Sequence, residues 1–401
     1  LNPRRPRDDL GRVLGPFRSR DYLLFWSGSF IANVGVWMQQ IALGWLVYAM
    51  TRSASWLGMI GFAGNMPVLT LGLLGGAIVD RANRRTIILG AQLVFALAAL
   101  ALALLTASGH LAVWHVIAIA MLSGTALALH APAMQAVLPT LVGSDELLNA
   151  ISLNSVQFNL ARTLGPALAG LVYGHVGAAG CFALNAVGFV VLTIVVSRIR
   201  IPRRPAVAPP PVAHALREGL AYARAHPVIG PSLFLAAMMS LFGFPYVILL
   251  PALARDALGL DASGLGYLMA TVGAGAVLGG LGLSALGHAS QRGTIAIGSA
   301  LLFSAALAAF AVVRSLHGTM VLLFTMGVLQ TVCVASISTT IQIAVADGMR
   351  GRIMSMMTVV LFGFATVGGL LIGTLGDRIG VPRALAAGGV DDFEHVFERG
   401  G

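Results

Sequence analysis

The chain has 401 residues, of which 57% are hydrophobic and only 10% charged, and its mean hydropathy is +0.87. A soluble chain of this length would carry roughly 25% charged residues spread over two or three domains, so a soluble globular protein is excluded. The net charge of +10 would point to nucleic acid in a soluble protein, but the charges here fall between apolar runs, where they act as topology signals, and no nucleic-acid partner is expected.

The N-terminal tail, residues 1–21, is rich in Arg and precedes an apolar run far longer than a signal-peptide core, so no cleavable signal is expected. Apolar runs follow at 22–50, 54–79, 86–107, 111–141, 146–175 and 178–197. A linker over 198–230 comes next, with Arg203, Arg204 and a proline cluster at Pro209, Pro210 and Pro211. Its second part, near Ala213 to Ala225, has the composition of a helix lying along a membrane surface. Further runs lie at 231–254, 264–287, 293–313, 318–346 and 353–376.

Each run holds about 20 residues or more, enough to cross roughly 30 Å of hydrocarbon as a helix. None alternates polar and apolar residues as a barrel strand would. The expected fold is therefore an all-α polytopic membrane bundle with eleven clear spans. It divides into a six-helix half at 22–197 and a second half at 231–401, which has five spans and a polar tail.

All 25 cationic residues are Arg. With the N-terminus on the cytoplasmic side, 18 of them fall on that side and 5 on the other, an asymmetry that places the N-terminal tail and the linker in the cytoplasm of a cell membrane. Cys181 and Cys333 lie in separate apolar runs and form neither a disulfide framework nor a metal set. The segment DELLNAIS enters the fifth span from Asp145, and DGMRGRIMS enters the eleventh from Asp347. Such an echo about 200 residues apart is the internal repeat from which transporters are built.

Apart from Glu146 at the first position of the fifth run, Arg162 is the single charge inside any apolar run. It lies near mid-bilayer at 1.5 Å per residue from the start of its span, where an Arg costs roughly 2.5–3.5 kcal/mol and faces a wet cavity or a partner. Asn159 shares its face, and Asn159, Gln157 or a bound anion are the available partners. The first span carries a polar stripe at Asn33, Trp37 and Gln40, and the tenth carries one at Thr331, Ser338 and Gln342. Either stripe lines a cavity or bonds between helices. His130 stands near Pro132 in the fourth span, and Phe242, Tyr246 and Tyr267 are better explained by packing. No H-E-x-x-H, G-x-S-x-G or Walker A pattern is present, so no enzyme, cofactor or metal is expected.

The loop between the second and third runs reads Gly76-Ala-Ile-Val-Asp80-Arg81-Ala-Asn83-Arg84-Arg85. This resembles the G-x-x-x-D-R-x-G-R-R signature of the major facilitator superfamily. Asn83 replaces a Gly and is expected to tolerate the left-handed turn. The entry Phe17 to Tyr22, the segment Gly35 to Gln40, and Asn159 to Pro166 are similar to the branch containing the enterobactin exporter and its secretion relatives. The Gly165-Pro166 pair resembles the fifth-helix motif of drug antiporters.

That resemblance implies alternating access around a central cavity and export of a small amphipathic or siderophore-like molecule. It also implies a latch in which Gly76, Asp80, Arg81, Arg84 and Arg85 close the cytoplasmic side against the start of the eleventh span, near Gly351 to Ser355. Asp80 ends a helix, where the dipole disfavours an anion, so a partner is required. Proton antiport is the implied coupling. No Asp or Glu lies in a span beyond Glu146 at the edge of the fifth, so His130 or a loop-end carboxylate would carry the proton, or transport is uncoupled.

Two departures stand out: the family has twelve spans, and no Arg lies between Arg85 and Arg162. The missing twelfth span leaves a second reading, a non-transporting relic or scaffold. The pattern Gly373-x-x-x-Asp377-Arg378-x-Gly380 imitates the loop signature but falls on the outer side by span count, and is set aside as a look-alike.

Overall fold

The computed structural model describes residues 14–81, 83–199, 212–285, 292–310, 312–313 and 315–387. Among them are helices and turns and no strand, as unbroken apolar runs in a bilayer require. Ten helices are long and apolar enough to cross a membrane. The first five are α1 (Arg20–Thr51), α2 (Ala54–Arg81), α3 (Arg84–Ala107), α4 (Val113–Leu141) and α5 (Leu147–Arg198). Polar or positive-φ residues separate them: Arg52 takes a left-handed conformation after α1, and Gly109 does so after α3.

A straight helix of 52 residues, the length of α5, would extend about 78 Å, more than twice the hydrocarbon thickness. It folds back at Gly177, where φ is +69° and ψ −173°, a conformation that only glycine adopts without steric cost. Both limbs consequently run along α1. The Tyr22 hydroxyl donates to the Ala150 carbonyl (3.1 Å) and the Trp26 indole N–H to the Leu153 carbonyl (3.0 Å) on the first limb. Gly28 and Gly35 lie against Val195 and Asn185 on the second. Cys181, buried like Cys333 and free, sits 4.0 Å from the Ala169 carbonyl across the fold.

After the linker helix α6 (Val212–Ala225), one span is assembled from α7 (Ile229–Met238), a π turn at Met239–Gly243, α8 (Pro245–Ala252) and a second π turn at Leu253–Ala257. Pro245 has no amide hydrogen to continue the ladder, which suits a wide turn just before it. The remaining spans are α9 (Ala262–Ala285), α10 (Arg292–Phe310), α11 (Leu316–Ala344) and α12 (Arg350–Ile379). The repeat noted in the sequence is visible here, because α5 and α12 are each entered through one 3-10 turn, Ser144–Glu146 and Asp347–Met349. The linker helix docks on the end of the second group: Glu218 pairs with Arg352, and the Tyr222 hydroxyl accepts from the Ala346 N–H (3.2 Å).

Helices α1 to α5 pack on one another, as do α7 to α12, and the two groups meet along α2 with α12 and α5 with α9. Small residues make these approaches possible. A methyl group at Gly124 would overlap the Gly64 carbonyl within the first group, and one at Gly275 the Phe324 carbonyl within the second. The second limb of α5 fills the groove between α1 and α3, where Phe189 meets Phe95 at 5.1 Å. The corresponding groove between α7 and α10 is a cavity of about 1010 Å³ lined by Phe234, Leu235, Ile297, Ile337 and Thr340. No helix among the described residues occupies it. A short helical stretch at 381–387 follows α12 and buries Ala384 and Leu385.

Candidate functional site

The seams between the two groups are closed at one end and open at the other. At the Arg-poor end α2 and α12 touch backbone to backbone, since a methyl at Gly58 would overlap the Gly369 carbonyl and one at Gly373 would stand 2.7 Å from the Ala54 oxygen. Likewise α5 meets α9: a methyl on Gly266 would lie 2.7 Å from the Pro166 carbonyl, and one on Gly273 would reach 3.2 Å from the Thr163 Cα. The Ser263 hydroxyl donates to the Gly170 carbonyl (2.9 Å). Toward the Arg-rich end the same faces part. Ser152, Ser155 and Val156 on α5, Val277 and Leu281 on α9, and Ser355 and Val359 on α12 are exposed, each about one to four turns beyond the closed contacts.

Arg162 lies one residue before Thr163, at the level where the α5–α9 seam closes. Its guanidinium stands 5.7 Å from the centroid of the Trp37 ring on α1, within cation–π range, and Phe158 meets the other part of that ring edge-on at 5.8 Å. Among the described residues it makes no ion pair. Among the described residues neither amide expected to partner it bonds it: Asn159 donates to the Ser155 carbonyl (2.8 Å), and Gln157 accepts from Asn33 (3.4 Å). Trp37 is held in place by α5, because its Cβ fills the space beside Gly165. Gln40 is exposed.

The other sequence candidates fall into separate clusters. His130 bonds Gln92 (2.9 Å) and meets Phe95 edge-on at 5.3 Å, so it faces α3. On α11, Gln342 is exposed and donates to the Ser338 hydroxyl (3.0 Å), while Thr331 packs near Gly280 of α9. Tyr246 is buried against Phe303 (5.9 Å) and Tyr267 is exposed.

For the loop motif, Gly76, Asp80 and Arg81 form the last turns of α2, and their side chains lie outside the described residues. Asn83 is not left-handed as expected. It is extended at φ −72° and caps α3, its side chain accepting from the Arg85 N–H (3.1 Å). Asn does this readily because its amide oxygen reaches the first free N–H groups of a helix. Arg84 opens α3, and Arg85 donates to the Ser197 carbonyl at the end of α5.

Sequence reasoning missed the polar contacts that join the two groups at the closed end. Tyr48 bonds Asp256, Arg52 pairs with Asp256 at 3.4 Å, and Arg255 stacks over Trp45 at 5.6 Å. Asp377 at the end of α12 accepts hydrogen bonds from Ser53, Ala54 and Ser55 at the start of α2. The only signal for the last was the motif set aside as a look-alike.

Comparison with known proteins agrees with this architecture. The chain is 28% identical over 357 residues to the enterobactin exporter EntS of Shigella boydii, covering 86% of this chain and 83% of that one. It is 25% identical over 274 residues to macrolide efflux protein A of Streptococcus pyogenes, covering 68% of each. It is 28% identical over 233 residues to the staphyloferrin A transporter of Staphylococcus aureus, covering 57% and 58%. Among solved structures, its fold is similar to the nucleoside transporter NupG, with a TM-score of 0.72, 13% identity and coverage of 94% and 98%. It is also similar to an inward-facing bacterial homolog of the human lysosomal transporter Spinster, with a TM-score of 0.70, 13% identity and coverage of 95% and 93%. Residues 12–394 match the transmembrane secretion effector family of the major facilitator superfamily, and this multi-pass, non-enzymatic membrane chain belongs to that family.

Proposed function

We propose that the chain exports a small amphipathic molecule, anionic or neutral and of siderophore-like chemistry, by rocking its two halves, residues 22–197 and 231–401, about the central cleft. The polypeptide crosses the membrane eleven times, counting both limbs of α5, with the N-terminus, loop 80–85 and linker 198–230 in the cytoplasm. The cleft then opens inward in this structure. The observation that carries the reading is Arg162, half-buried over Trp37 and beside the point where the α5–α9 seam closes. A cation in that position, held by an aromatic face and facing no carboxylate, attracts a carboxylate, catecholate or phosphate and repels cationic drugs.

Asn33, Trp37, Gln40 and Asn159 contribute to the same wall of the cleft, and Thr331, Ser338 and Gln342 to the opposite one. His130, bonded to Gln92 away from Arg162, would act on helix packing and only through it on substrate. The names of the curated relatives, which include two siderophore transporters and a macrolide efflux protein, support an amphipathic substrate class. The test is uptake into inside-out proteoliposomes, with and without a pH gradient, comparing anionic siderophores with cationic dyes. Gradient-stimulated uptake of the anions is expected. Efficient uptake of the dyes alone would overturn the assignment of charge.

A further inference from the structure

We infer that Asp377 is a gating residue that holds the Arg-poor face closed by capping the helix of the opposite half. The inference rests on the alternating-access reading above and adds the residue that governs its outer side. Asp377 occupies the last turn of α12, where the helix dipole disfavours a carboxylate. Its charge is met by the start of α2. One carboxylate oxygen accepts from the Ala54 N–H (2.6 Å), and the other accepts from the Ser53 hydroxyl (2.6 Å), the Ser55 N–H (3.1 Å) and the Ser55 hydroxyl. These amides are among the first N–H groups of a helix, which have no partner within it and carry its positive end.

A helix is ordinarily capped by its own preceding residue, and Ser53 is a residue type suited to that role. Here Ser53 turns its hydroxyl outward as a donor, and the cap comes from the other half of the molecule. Gly373 lets α12 come close enough for this: a methyl there would press on the Ala54 carbonyl at 2.7 Å. The arrangement therefore needs glycine one turn before the aspartate, which is the spacing Gly373-x-x-x-Asp377-Arg378. The same spacing, Gly76-x-x-x-Asp80-Arg81, ends α2.

Helices α2 and α12 run antiparallel, so this sequence stands at the Arg-rich end of α2 and at the Arg-poor end of α12, where α12 meets the start of α2. The look-alike is thus the second half of a paired device, with Asp80 serving the Arg-rich face and Asp377 the Arg-poor face. Opening the Arg-poor face separates Ala54 from Asp377 and breaks all four bonds at once. Because Asp377 is exposed, water replaces those bonds as they break, which keeps the latch reversible. The Tyr48–Asp256–Arg52 contacts lie beside it and also cross between the halves.

The experiment uses the full-length chain in proteoliposomes without substrate. Ser263→Cys in the α5–α9 seam reports opening of the Arg-poor face, and Val156→Cys reports exposure of the cleft on the other. Asp377→Asn is expected to speed thiol labelling of Ser263→Cys on the order of tenfold and to slow labelling of Val156→Cys in parallel. Asp377→Glu, which keeps the charge, should stay near the parent rates. Should Asp377→Asn fail to fold, the double variant Ser53→Ala with Ser55→Ala removes the two hydroxyl donors from the other side and is expected to move both rates in the same directions. Unchanged labelling of Ser263→Cys, or faster labelling at both sites, overturns the latch, since general loosening exposes both faces together. Substrate identity does not enter this readout, so a wrong substrate class would leave the result standing.

Discussion

Arg162 shows what a single charge does inside a helical membrane bundle. Its guanidinium lies over Trp37, an arrangement that lessens the cost of holding the charge near mid-membrane without neutralising it. We predict that Arg162→Gln lowers affinity for an anionic substrate at least tenfold, about 1.4 kcal/mol, while the thermal unfolding midpoint stays within a few degrees. Loss of folding would make Arg162 a structural residue instead. Asp80→Asn should reduce transport without reducing the amount of protein in the membrane, because it removes a charge at nearly constant size. Wild-type rates in that variant would contradict a latch at the Arg-rich face.

Arg162 could be picked out from sequence because a lone charge in an apolar run is conspicuous. Its neighbour could not, since Trp37 is 125 residues away and only packing brings the two together. The amides nearest in sequence looked like better partners. Instead the Asn159 amide N–H bonds a backbone carbonyl one turn back, and the Gln157 amide oxygen accepts from Asn33 on another helix.

At the scale of helices, the boundaries were legible because charges and glycines mark where hydrocarbon ends. The reversal in α5 falls between the fifth and sixth apolar runs for that reason. Gly177 permits a clean test: a methyl there meets nothing within 4 Å, so Gly177→Ala isolates the backbone cost of a positive φ. That cost should be roughly 1–3 kcal/mol, measured as a drop in unfolding midpoint. Two other glycines separate stability from state. Gly124→Ala presses on the Gly64 carbonyl inside one half and should destabilise by about 1–3 kcal/mol. Gly58→Ala presses on Gly369 across the halves and should shift cysteine accessibility toward an open Arg-poor face with little loss of stability. Equal destabilisation by both would mean that the halves do not move apart at this seam. Such pairings were illegible in the sequence, because glycine spacing marks a close approach without naming the helix that approaches.

For the molecule as a whole, the proposed orientation rests on the distribution of Arg. Cysteines placed at Arg84 or Arg224 should react with an impermeant reagent only after the cytoplasmic face is exposed. The native thiols are both buried, so the background is low. Labelling of those positions on intact cells would invert the topology and with it the direction of transport.

The dry seam at the closed face also decides where the membrane voltage falls. Backbone packed on backbone conducts poorly, whereas the open cleft is filled with electrolyte, so most of the potential drops across the few turns between Thr163 and Gly174. In the proposed orientation Arg162 sits at nearly the cytoplasmic potential in this state, and at nearly the external potential once the halves rock as proposed. An empty carrier thus moves about one charge through most of the field, worth about 2.3 kcal/mol per 100 mV. A negative interior holds the unloaded cleft facing the cytoplasm, ready to fill. A bound monoanion cancels the charge and frees the loaded step from voltage. Capacitive currents from a supported membrane should accordingly appear for the empty protein, shrink when anionic substrate is saturating, and vanish in Arg162→Gln.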